Sequence, residues 1–323
     1  MRSGGFIAET RNESLEMHFN IKLSGVIPAL VTPFDEDNSI NFTAFEKLLY
    51  HMRKCGVKGW VPNGSTGEYF SQSTEERRLV LQFVKDFSNQ DEILIAGANA
   101  PATREVVEQT ALASKIGYDI VLLAPPFYTR PTPEELIRHY DTVLSETDVN
   151  IVLYSYPLKD GADIGFEVLD HFAENPRVIG IKESSGSLQR AIEISTRYQN
   201  GIQLVSGSDD IALDFMFWGA DSWICGPSNC LAMACCDLDR TYRSGDMVKA
   251  RMQMRHLYRV MNILESGKFV QKIKYGCELQ GLPAGLCRAP LGPLSDSEKR
   301  EMRMAMEPIL NWPSLFEDSG PKR

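Results

Sequence analysis

Eight short apolar, β-branched runs recur along the chain with helix-period segments between them, and this alternation restricts the fold more than any other feature. The runs are GVIPALVTPF (25–34), GWVPNG (59–64), EILIAGANA (92–100), DIVLLAPP (119–126), NIVLYSYP (150–157), RVIGIKESS (177–185), IQLVSGSDD (202–210) and DSWICGPSN (221–229). Segments such as TAFEKLLYHMRKCG and TREVVEQTALASKIG lie between them, each stopping at glycine, a common helix terminator. Near-continuous apolar strands that alternate with helices form parallel sheets covered on both faces. Eight such units predict an α/β fold, a closed (β/α)8 TIM barrel. The alternative is a doubly wound open sheet, which usually has fewer strands. In a nucleotide-binding enzyme it would show a glycine-rich first turn, which VTPFDED lacks.

Beyond residue 230 the strand signal stops. MVKARMQMRHLYRVMNILES, FVQKIKYGCELQG and SDSEKREMRMAMEPIL carry helical patterns, the last with a serine–aspartate pair suited to an N-cap. The expected organisation is a weakly ordered extension over 1–21, the barrel over 22–240 and a C-terminal helical extension over 241–323. Met17 precedes the first strand-like run, so 1–16 reads either as that extension or as an upstream start.

A chain of 323 residues with 43% hydrophobic content can bury a sizeable core. Its net charge of -9 argues against nucleic acid as a partner, since phosphate binding needs a basic face. No apolar stretch approaches the ~20 residues of a membrane span, and the N-terminus lacks the apolar core of a signal peptide. The seven cysteines are an odd number without zinc-ribbon spacing, which places the protein in a reducing cytoplasm. Cys230, Cys235 and Cys236, in CLAMACC, read as buried packing.

Barrel chemistry sits at the C-terminal strand ends, which here bring Ser65, Thr66, Tyr128, Tyr154, Lys182 and Asp209 to one mouth. Lys182, at the end of VIGIKESSG, has two readings. It snorkels to solvent, or its strand register aims it inward, where lost hydration favours a neutral amine able to form an imine with a ketone. GSTG is a glycine-flanked turn whose hydroxyls and amides could cradle a carboxylate, or an ordinary turn. The phenols of Tyr128 and Tyr154 could relay protons or could simply pack. No histidine lies near Asp209–Asp210 in sequence, so no metal and no other cofactor is expected.

Taken together, GVIPALVTPF, GSTGE, PPFYTRPT, LYSYP, GIKESSG and SGSDD resemble the dihydrodipicolinate synthase / N-acetylneuraminate lyase family of class I aldolases, from about Ser24 to Leu310. The gaps agree as well: 63 positions from Ser65 to Tyr128, 26 to Tyr154 and 28 to Lys182. The resemblance implies that Lys182 forms the Schiff base with pyruvate or another 2-oxo acid. It implies that Tyr154 shuttles protons, with Ser65 and Tyr128 completing the relay. Ser65 and Thr66 would hold the 2-oxo acid's carboxylate, and Gly207 and Ile224 would line its pocket. Tyr128 would be shared across a tight homodimer, usually doubled to a homotetramer.

One position departs from the synthases. Where they carry an arginine for the carboxylate of aspartate semialdehyde, this chain has Lys159, which keeps the charge without the planar fork. The serines after Lys182 are closer to 2-keto-3-deoxy sugar-acid aldolases and dehydratases, or to a pyrroline-4-hydroxy-2-carboxylate deaminase. The expected activity is a Schiff-base lyase or aldolase acting on a 2-oxo acid, with a possible aldehyde partner and a second-substrate pocket around Lys159, Asp209 and Ser228. The alternatives are a 4-hydroxy-tetrahydrodipicolinate synthase, a non-catalytic 2-oxo-acid-binding barrel and a metal-dependent barrel lyase.

Overall fold

A computed structural model describes residues 21–316. Residues 1–20 and 317–323, with nearly all of the expected N-terminal extension, lie outside the described residues, as do the side chains of Lys159, Asp160, Pro313 and Ser314.

All eight expected strands form. They are β1 Gly25–Pro28, β2 Gly59–Trp60, β3 Ile93–Gly97, β4 Ile120–Leu123, β5 Asn150–Ser155, β6 Val178–Glu183, β7 Gln203–Ser206 and β8 Ser222–Cys225. Every pairing is parallel, in the order β1-β8-β7-β6-β5-β4-β3-β2. The sheet ends meet through a parallel bridge between Ala29 and Val61, where Val61 N–H donates to Pro28 O (2.9 Å) and Leu30 N–H to Val61 O (3.0 Å). This closure makes the sheet a barrel and excludes the open-sheet alternative.

Strand alternation sorts the apolar side chains into an inner and an outer set. Ile27, Ala29, Val61, Ile95, Ile120, Leu122, Val152, Tyr154, Ile179, Val205 and Ile224, drawn from every strand or its extension, form one buried cluster that fills the cylinder. Their neighbours in sequence, such as Val121, Ile151, Leu153, Val178 and Trp223, pack outward against the helices.

The helices follow the local signals. Phe42–Cys55 starts on Asn41, whose side chain accepts from Ala44 N–H, and stops at Gly56 with φ 100°. Thr103–Ile116 stops at Gly117 with φ 103°. Capping boxes pair Ser73 with Glu76, Thr132 with Glu135 and Ser295 with Glu298, each satisfying two otherwise unpaired amides.

After β8 come the helices Ser228–Arg243, Met247–Glu265, Phe269–Glu278 and Asp296–Leu310. They bury Leu257, Met261, Ile273, Met302 and Met306 against the outside of β1 and β8, together with Cys230, Cys235 and Cys236 as expected for CLAMACC. All seven cysteines are free. Burial pushes the Cys55 thiol up to about 11, so it stays protonated and inert at neutral pH. Among the described residues no helix is long and apolar enough to cross a membrane.

Candidate active site

An irregularity in β6 decides which way Lys182 points. Ile151 pairs with Val178, but the next pair is Val152 with Gly180, so one residue of β6 is skipped. Val178 packs outward and Ile179 inward, yet Ile181 packs outward again. The bulge inverts the alternation from that point, and Lys182 therefore enters the cylinder. There it lies in register with Tyr154 on β5 and Val205 on β7. Its Nζ sits 4.3 Å from the centre of the Tyr154 ring, within the range of a cation–π or amine–π contact. Lys182 is 7% exposed and Tyr154 6%. The snorkelling alternative is thus excluded.

Gly207, at the end of β7, leaves room for this lysine. A Cβ there would meet Lys182 Cγ at 2.8 Å and Ser184 Oγ at 2.1 Å. Only glycine allows the β7 backbone to approach the lysine stem this closely. Ile224 is fully buried in the inner cluster.

The polar residues behind Lys182 hold its strand end in place. Glu183 points to the helix layer, fully buried, accepting from Arg190 Nε (2.7 Å) and Ser185 N–H (2.6 Å). Ser184 Oγ donates to Gly207 O (2.8 Å), tying β6 to β7. Sequence reasoning assigned no role to Glu183 or Arg190. The signal was there in alternation, since a residue adjacent to an inward lysine must face outward and, being charged, must find a partner.

Ser65–Gly67 forms a 3₁₀ turn above β2. Thr66 is 6% exposed, with its Oγ1 beside Gly226 at the end of β8, where a Cβ would come within 3.5 Å. Ser65 is half-buried. Gly67 O accepts from Thr32 Oγ1 (2.8 Å) and Gln72 Nε2 (2.7 Å), which pins the turn from the β1 side.

Asp209 is buried, and Trp223 Nε1 donates to its Oδ1 (2.8 Å). Burial, and then the charge of Glu265, pushes its carboxyl up to about 7, against the opposing pull of Lys182 and the Trp223 bond. Tyr156 donates to Glu265 Oε2 (3.3 Å), and its ring centre lies 6.3 Å from that of Tyr154. Burial and the surrounding carboxylates raise the Tyr156 phenol well above its ordinary value. Neither Tyr156 nor Glu265 was found from sequence, because Glu265 reaches the mouth only through the packing of the C-terminal helices.

The Asp209 shift has a consequence for stability. An acid whose pKa is higher in the fold than in the open chain holds more protons when folded, between about 4 and about 7. It therefore lowers stability as pH rises through that window. Asp209→Asn, which keeps an acceptor for Trp223, is expected to match wild type in melting temperature near pH 4.5. It should exceed wild type by about a few °C at pH 8. A difference that does not grow with pH, followed by circular dichroism, would contradict the shift.

Ser228 is fully buried, with its hydroxyl spent on Cys225 O (2.7 Å). Lys159 lies in the short helix Pro157–Asp160, but its side chain is outside the described residues. Tyr128 is not drawn into the cylinder: it is 93% exposed, with a φ of 76°. Among the described residues no three His, Cys, Asp or Glu side chains converge to hold a metal ion. The structure thus brings Lys182, Tyr154 and Gly207 together, keeps Ile224 in the inner cluster with Tyr154, sets Thr66 beside the end of β8, and leaves Tyr128 on the surface.

The sequence model of the Dihydrodipicolinate synthetase family matches residues 22–309. A 4-hydroxy-tetrahydrodipicolinate synthase from Methanothrix thermoacetophila is 32% identical over 285 residues, covering 86% of this chain and 94% of that protein. The enzyme of the same name from Gluconacetobacter diazotrophicus is 31% identical, covering 87% and 95%. Among solved structures, the chloride-inhibited dihydrodipicolinate synthase from Acinetobacter baumannii complexed with pyruvate superposes with a TM-score of 0.86 at 28% identity, covering 89% of this chain and 99% of that one.

Proposed function

This chain belongs to the dihydrodipicolinate synthetase family of Schiff-base lyases, and from that premise we propose that Lys182 is its imine-forming residue and a 2-oxo acid such as pyruvate its first substrate. The observation that carries this reading is the Lys182 amine, buried within the cylinder and resting on the Tyr154 ring at 4.3 Å. The amine adds to the ketone carbon to give a carbinolamine, and loss of water gives the imine. Once protonated, the imine withdraws electrons from the adjacent carbon and allows a C–C bond to form or break, or water or ammonia to leave. Tyr154 transfers the protons in these steps, with Ser65 in its relay, and Ser65 and Thr66 hold the substrate carboxylate. Tyr128 serves the site of a second copy across a tight homodimer, itself paired into a tetramer. This is supported by a side chain that is 93% exposed on a backbone in the left-handed region, which is uncommon for a non-glycine residue.

The names of the relatives favour a second reading, condensation of pyruvate with aspartate semialdehyde to 4-hydroxy-tetrahydrodipicolinate, with Lys159 in place of arginine. Incubation with pyruvate and borohydride, read by intact mass, is expected to add one reduced pyruvyl group per subunit. An unmodified mass would overturn the Schiff-base assignment. Adding aspartate semialdehyde in a coupled assay then separates the synthase from the sugar-acid lyases.

A further inference from the structure

The residue after GSTG is held in an unusual way. Glu68 has φ 57° and ψ 37°, a left-handed backbone that a non-glycine residue seldom adopts. Its N–H closes the Ser65–Gly67 turn by donating to Ser65 O (3.1 Å), and its carbonyl accepts from Ser71 N–H (2.9 Å). Its side chain is fully buried. Both carboxylate oxygens are engaged by the C-terminal helical part. Arg288 N–H donates to Oε2 (2.9 Å), and Lys274 Nζ lies 2.6 Å from Oε1. Lys274 is itself 2% exposed, on the helix Phe269–Glu278, and donates to Leu286 O (2.7 Å). The Lys274 contact is a short buried ion pair, and the Cys287 side chain is also hydrogen-bonded to Glu68. The same helix begins at Phe269, whose ring lies against Gly226, the residue beside Thr66 Oγ1.

We propose that Lys274 is a positioning residue: by pairing with buried Glu68 it fixes the Ser65–Thr66 turn in the geometry that receives the substrate carboxylate. This rests on the reading of Ser65 and Thr66 as that carboxylate's site. Low dielectric makes the pair strong, and either charge left alone would be driven to reach water. Glu68 would then leave its left-handed conformation and take the turn with it. The C-terminal helices accordingly set the affinity for the 2-oxo acid from a part of the chain remote in sequence.

The test uses the full-length protein and measures the pyruvate concentration that half-saturates borohydride labelling, alongside labelling at saturation. Glu68→Gln, isosteric and still able to accept from Arg288, is expected to raise that concentration about 10- to 100-fold, as misplacement of a binding group does. Labelling at saturation should stay complete. Lys274→Met should do the same, and Lys274→Arg should restore most of the affinity. The double variant Glu68→Gln/Lys274→Met should lose less than the two single changes combined, because no charge is left unpaired. A purely structural pair would lower the melting temperature and leave half-saturation unchanged, which would overturn the proposal. Independent, multiplying losses in the double variant would overturn it too. If Lys274→Met does not fold, Glu68→Gln alone decides, since wild-type half-saturation in it refutes the role. Failure of wild type to label at all would instead remove the reading on which the proposal stands.

Discussion

Replacing Lys182 by alanine is expected to abolish both turnover and the borohydride-trapped pyruvyl adduct. The other buried lysines among the described residues, Lys272 and Lys274, belong to the C-terminal helix Phe269–Glu278 and donate to Ile263 O and Leu286 O. Both amines are thus committed to partners other than Tyr154, Lys272 also to Ser266 Oγ and Lys274 to Glu68. Removal of a covalent nucleophile typically costs on the order of 10⁴- to 10⁶-fold, because the residual site retains binding but no alternative route. Lys182→Arg tests the same claim with the positive charge kept. A guanidinium stays protonated and cannot attack a carbonyl, so it should be as inactive as alanine. Intact-mass labelling of either variant equal to wild type would assign the imine to another residue.

Tyr154→Phe carries the second large effect. The phenyl ring keeps its place in the buried inner cluster and the face on which Lys182 Nζ rests. Only the hydroxyl is lost, and with it the group proposed to move protons. General acid–base catalysis contributes ~10²–10⁴-fold, so turnover should fall by that amount while the fold and its melting temperature change little. The adduct should still form at long incubation times, since imine formation needs proton transfer for speed rather than for equilibrium. Near-normal turnover would show that another group, Tyr156 or a water, carries the proton. The two variants also separate from one another. Loss of the amine removes the adduct, whereas loss of the phenol only delays it.

The resting site relies on residues that differ in how far sequence could reveal them. Lys182 and Tyr154 were legible because both end apolar runs, where a barrel presents its chemistry. Thr66 followed from the glycine-flanked GSTG turn, whereas Gly207 came only from the family resemblance. Glu183 with Arg190 required three-dimensional contact to recognise, and so did Tyr156 with Glu265 and Glu68 with Lys274. Each joins residues from different elements, and nothing in the local pattern around one partner specifies the other.

By itself the sequence determined the eightfold alternation of strands and helices, the helix stops at Gly56 and Gly117, the caps, and the residues that stand at the strand ends. These are properties of short segments, set by side-chain period and backbone preference. Only the tertiary structure decided that Lys182 faces inward, because that depends on one skipped residue in the pairing of β6 with β5. A period-two pattern is blind to a bulge, since hydrophobic residues on both faces of a buried parallel strand look alike. Tertiary packing also decided how charge is arranged about the mouth, where helices from the end of the chain bring Glu265 to Tyr156 and Lys274 to Glu68. Electrostatic partners are chosen by distance in space, and the fold alone sets that distance.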